Sequence, residues 1–201
     1  MTVCVAAILL AAGKSRRMGS CKQLLPMGGN TVIARCLDAL VGGGVSEVVL
    51  VTAEEGSGVV AAAQGYIVKM VVNPDHEGDM ASSVRVGLDA ITPVASGVIV
   101  ALSDYPLVTA ATIKNLIAAH AESPDSIIIP CYLERKGHPL LFPRSILAEL
   151  THDTILRHLV RRDPDRVRCL EVDDLGVLQD MDTPEDYRRL CDIINQSPSC
   201  Q

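Results

Sequence analysis

Short apolar segments alternate with helix-length segments along most of the chain, and this alternation constrains the fold more than any other feature. The apolar segments are hydrophobic almost throughout, which is typical of parallel strands that helices cover on both faces. The predicted strands are Val3–Leu10, Glu47–Thr52, Ile67–Val72, Gly97–Leu102, Ser126–Pro130 and Val167–Val172. This order predicts an α/β fold, a three-layer α/β/α sandwich around a Rossmann-like, mostly parallel sheet.

Helices are predicted between and after these strands. Their expected ranges are Thr31–Val41, Gly58–Gln64, Met80–Ile91, Thr109–Ala121, Pro143–Leu150 and Thr154–Arg161, with a last helix from Thr183 onward. Thr109 and Thr183 suit N-cap positions, and Pro184 suits the first helical position. No internal repeat interrupts the pattern, so we expect residues 1–195 to form a single domain, with 196–201 as a frayed tail.

Composition excludes several classes of protein. The net charge of −6, with four Tyr, one Phe and no Trp, argues against nucleic-acid binding. The longest apolar runs contain about ten residues, too few to span a bilayer. The seven cysteines are odd in number and scattered, as in a reduced, cytoplasmic protein. We therefore expect a cytoplasmic protein with small-molecule partners, no nucleic acid and no membrane, whose histidines other than His138 lie at the surface.

The loop after the first strand reads LAAGKSRRMGSCKQLLP, from Leu10 to Pro26. In open α/β sheets, ligands bind beyond the carboxyl ends of the strands. Small residues and glycines allow a ligand to approach the backbone closely, and Gly13 permits conformations closed to other residues. Arg17 and Lys22 provide the positive charge that a triphosphate needs. The loop contains neither a P-loop nor a GxGxxG motif, which disfavours an NAD-dependent dehydrogenase.

Carboxylates follow the fourth predicted strand and precede the last helix. Asp104 comes directly after Gly97–Leu102, at the ligand edge of the sheet, although capping of a turn or of the next helix is an alternative. A second acidic segment covers residues 180–186, in which Asp182 precedes the helix and Asp186 suits its positive dipole end. A pair of carboxylates suits a small, hard cation that keeps part of its water shell.

These segments resemble the motifs of a known family. The loop from Leu10 is similar to L-A-[AG]-G-x-[GS]-x-R-M-G-x-x-K-x-L-[LP] of the NTP-transferase superfamily, whose fold is of the nucleotide-diphospho-sugar transferase type. Within it, the chain looks most like the molybdenum cofactor nucleotidyltransferases, and among these the cytidylyltransferase branch. Relatives that use GTP tend to have Ala-Gly-Gly where this chain has Ala11-Ala12-Gly13. The resemblance therefore implies CTP rather than GTP.

The resemblance implies a nucleotide-binding set and a metal site. Leu10, Ala11, Ala12 and Gly13 would hold the base and ribose, Arg17 the β- and γ-phosphates, and Lys22 the charge on the α-phosphate. Asp104 falls in a segment similar to x-x-D-M-P-L, with Tyr105 in place of Met, and Asp182 in one similar to D-[IV]-[DN]-T-P-E-[DE]. Both would bind Mg²⁺, and Arg17, Lys22 and Asp104 would be catalytic.

Two further segments carry the resemblance. Asn73, Ser82 and Ser83 match N-P-x-x-x-x-G-M-x-x-S-[LIV], whose polar residues lie near the base or ribose. Here Asp79 is inserted between the glycine and the methionine, and a turn with a helix cap is the alternative reading. Gly137-His138-Pro139 matches G-H-P-x-L-F and implies contact with the acceptor, although a His before Pro is more often structural.

The sequence therefore predicts transfer of CMP from CTP to the terminal phosphate of a molybdopterin-type cofactor, with release of pyrophosphate. Hand-over of the product to a molybdoenzyme or its chaperone would follow. Guanylyl transfer to the same cofactor, and cytidylyl transfer to a sugar-alcohol or polyol phosphate, are alternatives with the same chemistry. A carrier that binds nucleotide or cofactor without turnover is a fourth reading, which Arg17, Lys22, Asp104 and Asp182 oppose.

Overall fold

The computed structural model describes residues 3–13, 21–54, 56–75, 79–151 and 154–196. Its strands are β1 (Val5–Leu10), β2 (Pro26–Met27), β3 (Asn30–Thr31), β4 (Val48–Thr52), β5 (Lys69–Val72), β6 (Gly97–Leu102), β7 (Ile127–Tyr132), β8 (Arg135–Lys136), β9 (Leu140–Pro143) and β10 (Val167–Glu171). Eight of these form one sheet in the order β10-β7-β9-β6-β1-β4-β5, with β8 paired to β7, while β2 and β3 form a separate ribbon.

Strand β1 lies near the middle of the sheet and sets its direction. It pairs in parallel with β4 on one side and with β6 on the other, so that Leu10 lies opposite both Val51 and Leu102. Strand β9 is antiparallel to both β6 and β7. The parallel strands therefore all end at one edge of the sheet, and β9 begins at that edge.

Helices cover both faces of the sheet. They are α1 (Val32–Gly42), α2 (Ser57–Ala62), α3 (Met80–Ala90), α4 (Ala110–Glu122), α5 (Arg144–Leu147), α6 (Leu156–Arg162) and α7 (Pro184–Gln196). Alternate residues of β1 enter different cores: Leu9 packs with α1, α2 and α4, and Ile8 with α3, α5 and α6. The predicted three-layer, mostly parallel α/β fold is confirmed. None of the described helices is both long and apolar enough to cross a membrane.

Several local predictions were wrong. The predicted helix Pro143–Leu150 spans only Arg144–Leu147, because Pro143 ends the unpredicted antiparallel strand β9 and the amides of Glu149 and Leu150 bond to carbonyls three residues back. Strand β5 is mostly exposed, since it lies at the edge of the sheet. Helix α7 continues to Gln196, the first residue of the predicted tail; the rest of that tail lies outside the described residues.

His120 is fully buried, not at the surface as predicted. Its Nε2 atom lies 3.2 Å from the Ser96 hydroxyl, and a Cβ added to Gly97 would come within 2.7 Å of the same nitrogen. Burial lowers the pKa of His120, although nearby Asp125 acts in the opposite direction. His158 is exposed as predicted, while His76 and His152 lie outside the described residues.

The hairpin between β7 and β8 turns through two residues in the left-handed region. Leu133 has φ of 48° and Glu134 has φ of 64°, where glycine or asparagine is usual. A left-handed conformation costs an ordinary L-residue roughly 1–2 kcal/mol because its Cβ approaches the following carbonyl oxygen. The turn therefore stores strain next to the ligand edge of the sheet.

Glu134→Gly is expected to raise the free energy of unfolding by about 1 kcal/mol, because glycine adopts this backbone conformation without the Cβ clash. Urea denaturation with a common m-value would measure the gain. Glu134→Ala is the matched control, because it removes the carboxylate but keeps the Cβ. A gain as large for alanine as for glycine would show that the side chain, not the backbone, carries the strain.

Candidate active site

A buried lysine joins three distant parts of the chain at the edge where the parallel strands end. The ammonium nitrogen of Lys22 donates to Asp104 Oδ2 at 3.0 Å, to Asp182 Oδ1 at 3.1 Å and to the Met181 carbonyl at 3.1 Å. Lys22 is only 8% exposed. The three residues that were assigned to phosphate and metal from separate motifs therefore form one ion-paired cluster.

The fold holds both carboxylates of this cluster in place. Asp104 lies in the turn that follows β6, and the amide of Ser103 binds the carbonyl of Leu10 at the end of β1. Asp182 precedes α7, where Thr183 Oγ1 accepts from the amide of Asp186. The Asp186 carboxylate in turn accepts from the hydroxyl and amide of Thr183, and from the amide of Asp182 at 3.3 Å.

The sequence alone predicted that Asp186 only complements the helix dipole. The structure gives it further contacts. The hydrogen bond from the Thr183 hydroxyl lowers the pKa of Asp186, so the carboxylate is charged at neutral pH. The reciprocal bonds between Thr183 and Asp186 form a capping box. Because Asp186 also binds the backbone of Asp182, this cap fixes the position of a cluster residue.

The carboxylates fit a divalent cation. Oδ1 of Asp104 is buried, and no donor among the described residues bonds to it, a costly arrangement unless a cation takes that place. The side chain of Asp182 is 47% exposed and so is accessible to a ligand. No group of three or more His, Cys, Asp or Glu side chains in the described ranges is arranged for a metal. Hard oxygen ligands from two carboxylates, completed by water and phosphate, match what Mg²⁺ prefers.

A second feature borders this cluster on the side of β9. The rings of Tyr105 and His138 stack with their centroids 4.8 Å apart and their planes at 33°. Burial lowers the pKa of His138, against the opposite effect of Asp104 and Asp180. Burial raises the pKa of Tyr105 to about 12, and Asp180, Asp104 and Asp182 add to the rise. Both rings are therefore uncharged at neutral pH beside an acidic cluster.

Backbone contacts place His138 tightly. The Gly137 amide donates to the Pro130 carbonyl at 2.8 Å, and the His138 amide donates to the Val177 carbonyl at 2.9 Å. A Cβ on Gly137 would come within 2.3 Å of that carbonyl oxygen, so only glycine fits. The next peptide, to Pro139, is cis. The predicted acceptor segment therefore lies at the ligand edge, because β9 begins there.

The predicted base-binding residues also come together. The Asn73 side-chain amide donates to Ser82 Oγ at 2.8 Å and to Ser83 Oγ at 2.9 Å, and all three residues are buried. Asp79, which interrupts the family motif, is the N-cap of α3 and accepts from the amide of Ser82. The helix-cap reading is thus correct for Asp79. Asn73 Oδ1 accepts from the amide of Asp75, so Asn73 braces the loop as well.

The loop after β1 is only partly described. Leu10 and Ala11 are buried, and the Ala11 amide continues the sheet by binding the Val51 carbonyl. Gly13 is exposed and has no positive φ, so the expected special conformation is absent at this residue, and a Cβ added to it would meet no described residue within 4 Å. Arg17 lies outside the described residues, as do Lys14, Arg16 and Gly19.

Sequence reasoning missed Asp174. This residue is 7% exposed, and its carboxylate accepts from the amide and hydroxyl of Thr109, the hydroxyl of Thr112 and the amide of Gly176. It ties the start of α4 to the segment whose Val177 carbonyl holds His138. Thr109 and Thr112 lie more than sixty residues away along the chain, so no local motif predicts these contacts.

Gly137→Ala is expected to lower the free energy of unfolding by about 1–3 kcal/mol, since the new methyl group meets backbone that cannot rotate away. Gly13→Ala is the matched control and should leave stability unchanged, because its Cβ would meet no described residue within 4 Å. Urea denaturation of both variants checks the difference. Equal stability for the two would mean that the segment before β9 is not packed as described.

The fold agrees with comparisons to known proteins. Residues 7–167 match the MobA-like NTP transferase domain. Nicotine blue oxidoreductase from Paenarthrobacter nicotinovorans is 31% identical over 198 residues, which cover 93% of this chain and 96% of that protein. A nucleotidyl transferase from Methanothermobacter has the same fold, with a TM-score of 0.84, 23% identity and coverage of 96% and 98% of the two chains.

A mycobacterial protein is similar in both sequence and structure. The crystal structure of Rv0371c from Mycobacterium tuberculosis H37Rv has 34% identity and a TM-score of 0.82, and the match covers 96% of this chain and 100% of that one. The same protein has also been crystallised in complex with manganese, with 33% identity, a TM-score of 0.80 and the same coverage. The chain belongs to the family of MobA-like NTP transferase domains, nucleotidyltransferases that typically use a divalent metal.

Proposed function

We propose that this protein transfers CMP from CTP to the terminal phosphate of a molybdopterin-type cofactor and releases pyrophosphate, with Mg²⁺ as its metal. The observation that carries the proposal is the cluster of Lys22, Asp104 and Asp182 at the ligand edge of the sheet. The choice of CTP rests on Ala11-Ala12-Gly13, where GTP-using relatives tend to have a second glycine. The choice of acceptor rests on the Gly137-His138-Pro139 segment.

The order of strands supports a division of this edge into two halves. The proposed nucleotide residues follow β1 and β5, and the proposed acceptor residues precede β9. Strand β6 lies between β1 and β9, and Asp104 lies two residues after its end. A nucleotide over β1 and an acceptor over β9 would therefore meet at the cluster, where the α-phosphate is attacked.

The chemistry follows from this placement. An oxygen of the acceptor phosphate attacks the α-phosphorus in line, and the bond from that phosphorus to the bridging oxygen breaks, so the electron pair leaves with pyrophosphate. A terminal phosphate is largely ionised near neutral pH, so no general base is required. Lys22 and Arg17 would provide positive charge to the phosphates, and stabilisation of charge is the main contribution of the protein in such a reaction.

Asp104 and Asp182 would hold the Mg²⁺. When bound, this ion would neutralise part of the negative charge of the phosphates. The uncharged ring of His138, stacked on Tyr105, would contact the acceptor without adding charge. Asn73, Ser82 and Ser83 would support the base and ribose. The finished dinucleotide cofactor would pass to a molybdoenzyme or its chaperone in the cytoplasm.

Pyrophosphate release tests the proposal. The protein is incubated with Mg²⁺, molybdenum-loaded molybdopterin and, in parallel, CTP, GTP, ATP or UTP, and the dinucleotide product is identified by mass. Release with CTP well above the other nucleotides is expected. Preferential release with GTP would overturn the cytidylyl assignment, and silence with all four nucleotides would overturn the choice of acceptor.

Asp104→Asn and Asp182→Asn are each expected to lower kcat by about 100-fold or more, because each removes one charged ligand of the metal without changing side-chain volume. Asp173→Asn is the matched control: this residue is exposed and the change in charge is the same. Steady-state kinetics with saturating CTP measures the effect. Turnover near the wild-type value in either cluster variant would remove that residue from the metal site.

A further inference from the structure

The ammonium group of Lys22 occupies the space between the carboxylates that would bind the metal. It lies 3.0 Å from Asp104 Oδ2 and 3.1 Å from Asp182 Oδ1. A Mg²⁺ ion binds carboxylate oxygens at about 2.0–2.1 Å. A divalent cation held by both carboxylates would therefore lie beside a second positive charge, whether it takes Oδ2 of Asp104 or the buried Oδ1 of the same group.

Solvent relieves this conflict only in part. The Lys22 side chain is 10% exposed and that of Asp104 is 25% exposed, so water and salt screen the repulsion weakly on that side, whereas the Asp182 side chain is 47% exposed and faces solvent. Both carboxylates are also attached to fixed backbone, through the turn after β6 and through the cap of α7. The lysine, by contrast, has a flexible four-carbon stem and can move its charge.

We propose that Lys22 and the divalent cation compete for Asp104 and Asp182, so that the metal binds both carboxylates only when Lys22 leaves them for another anion. The nucleotide phosphates supply that anion, since Lys22 follows the loop proposed to hold them. This inference rests on the proposed function of the site. It deepens that function by making Lys22 a residue that couples metal binding to nucleotide binding.

The carboxylates thus keep a counter-charge in either arrangement. With Lys22 between them, its ammonium lies within 3.1 Å of an oxygen of each carboxylate and compensates part of their negative charge. With nucleotide bound, the ammonium compensates phosphate and the carboxylates compensate the metal. Metal and nucleotide are expected to bind with positive cooperativity for this reason.

The test measures how one substitution changes the affinity for two ligands, and the two changes are expected to be opposite in direction. Mn²⁺ alone is titrated into the full chain without nucleotide, and free Mn²⁺ is followed by electron paramagnetic resonance. Lys22→Met is expected to bind Mn²⁺ about tenfold more tightly than wild type, because the competing charge is gone. The same variant is expected to bind the Mn²⁺ complex of a non-hydrolysable CTP analogue about tenfold more weakly, because a phosphate contact is gone.

Matched variants separate the effect of a charge at the cluster from the effect of the net charge of the protein. Lys114→Met, at an exposed position of α4, makes the same change in net charge and should leave both affinities unchanged. Lys22→Arg keeps the positive charge and should not gain Mn²⁺ affinity. The double variant Lys22→Met/Asp104→Asn should lose the gain. If Lys22→Met fails to fold in a thermal melt, Lys22→Gln replaces it in the same comparison.

The proposal is overturned if Lys22→Met gains no Mn²⁺ affinity, if Lys114→Met gains as much, or if both ligands change in the same direction. The titrations with Mn²⁺ and the analogue need no turnover. Failure of pyrophosphate release with every nucleotide would therefore reject the proposed function and leave the competition for the carboxylates to be judged separately. If the protein transfers CMP but Lys22→Met does not change the two affinities in opposite directions, only the role of Lys22 as a coupling residue is rejected.

Discussion

The parallel pairing of β1 with β4 and β6 is the constraint on which the rest of the molecule depends. All six residues of β1 are buried, and its alternate side chains enter the two cores on opposite faces of the sheet. Because the three strands run in the same direction, the segments that follow them meet at one edge. Residues far apart in the sequence are brought together there without any local signal between them.

Much of this was predictable from the sequence, because buried strands and capped helices leave local patterns. Gly97–Leu102 was predicted at its observed bounds, and Thr109 is the N-cap that its position indicated. The antiparallel strand β9 could not be predicted in the same way. Its short apolar run lies between two prolines, and only pairing with β6 and β7 makes it a strand.

The candidate site also contains residues that local motifs predict and contacts that only the folded structure shows. Motifs identified Lys22, Asp104 and Asp182 separately, and the structure adds that the ammonium bonds both carboxylates. The contacts of Asp174 and Asp186 were not predictable in this detail, since their importance comes from the partners that they hold. Long-range hydrogen bonds of buried carboxylates depend on packing, which a single sequence does not display.

The reversed direction of β9 has a consequence for how such a protein can diversify. The edge residues next to β1 and β5 come from the first half of the chain, whereas Gly137–Pro139 lie between the later hairpin β7–β8 and strand β9, where backbone hydrogen bonds reach Pro130 and Ser96. One half of the edge can therefore change by exchange of a short contiguous segment, while the other keeps its register. Recombination in this region would exchange the residues of one half of this edge together and leave those of the other half unchanged.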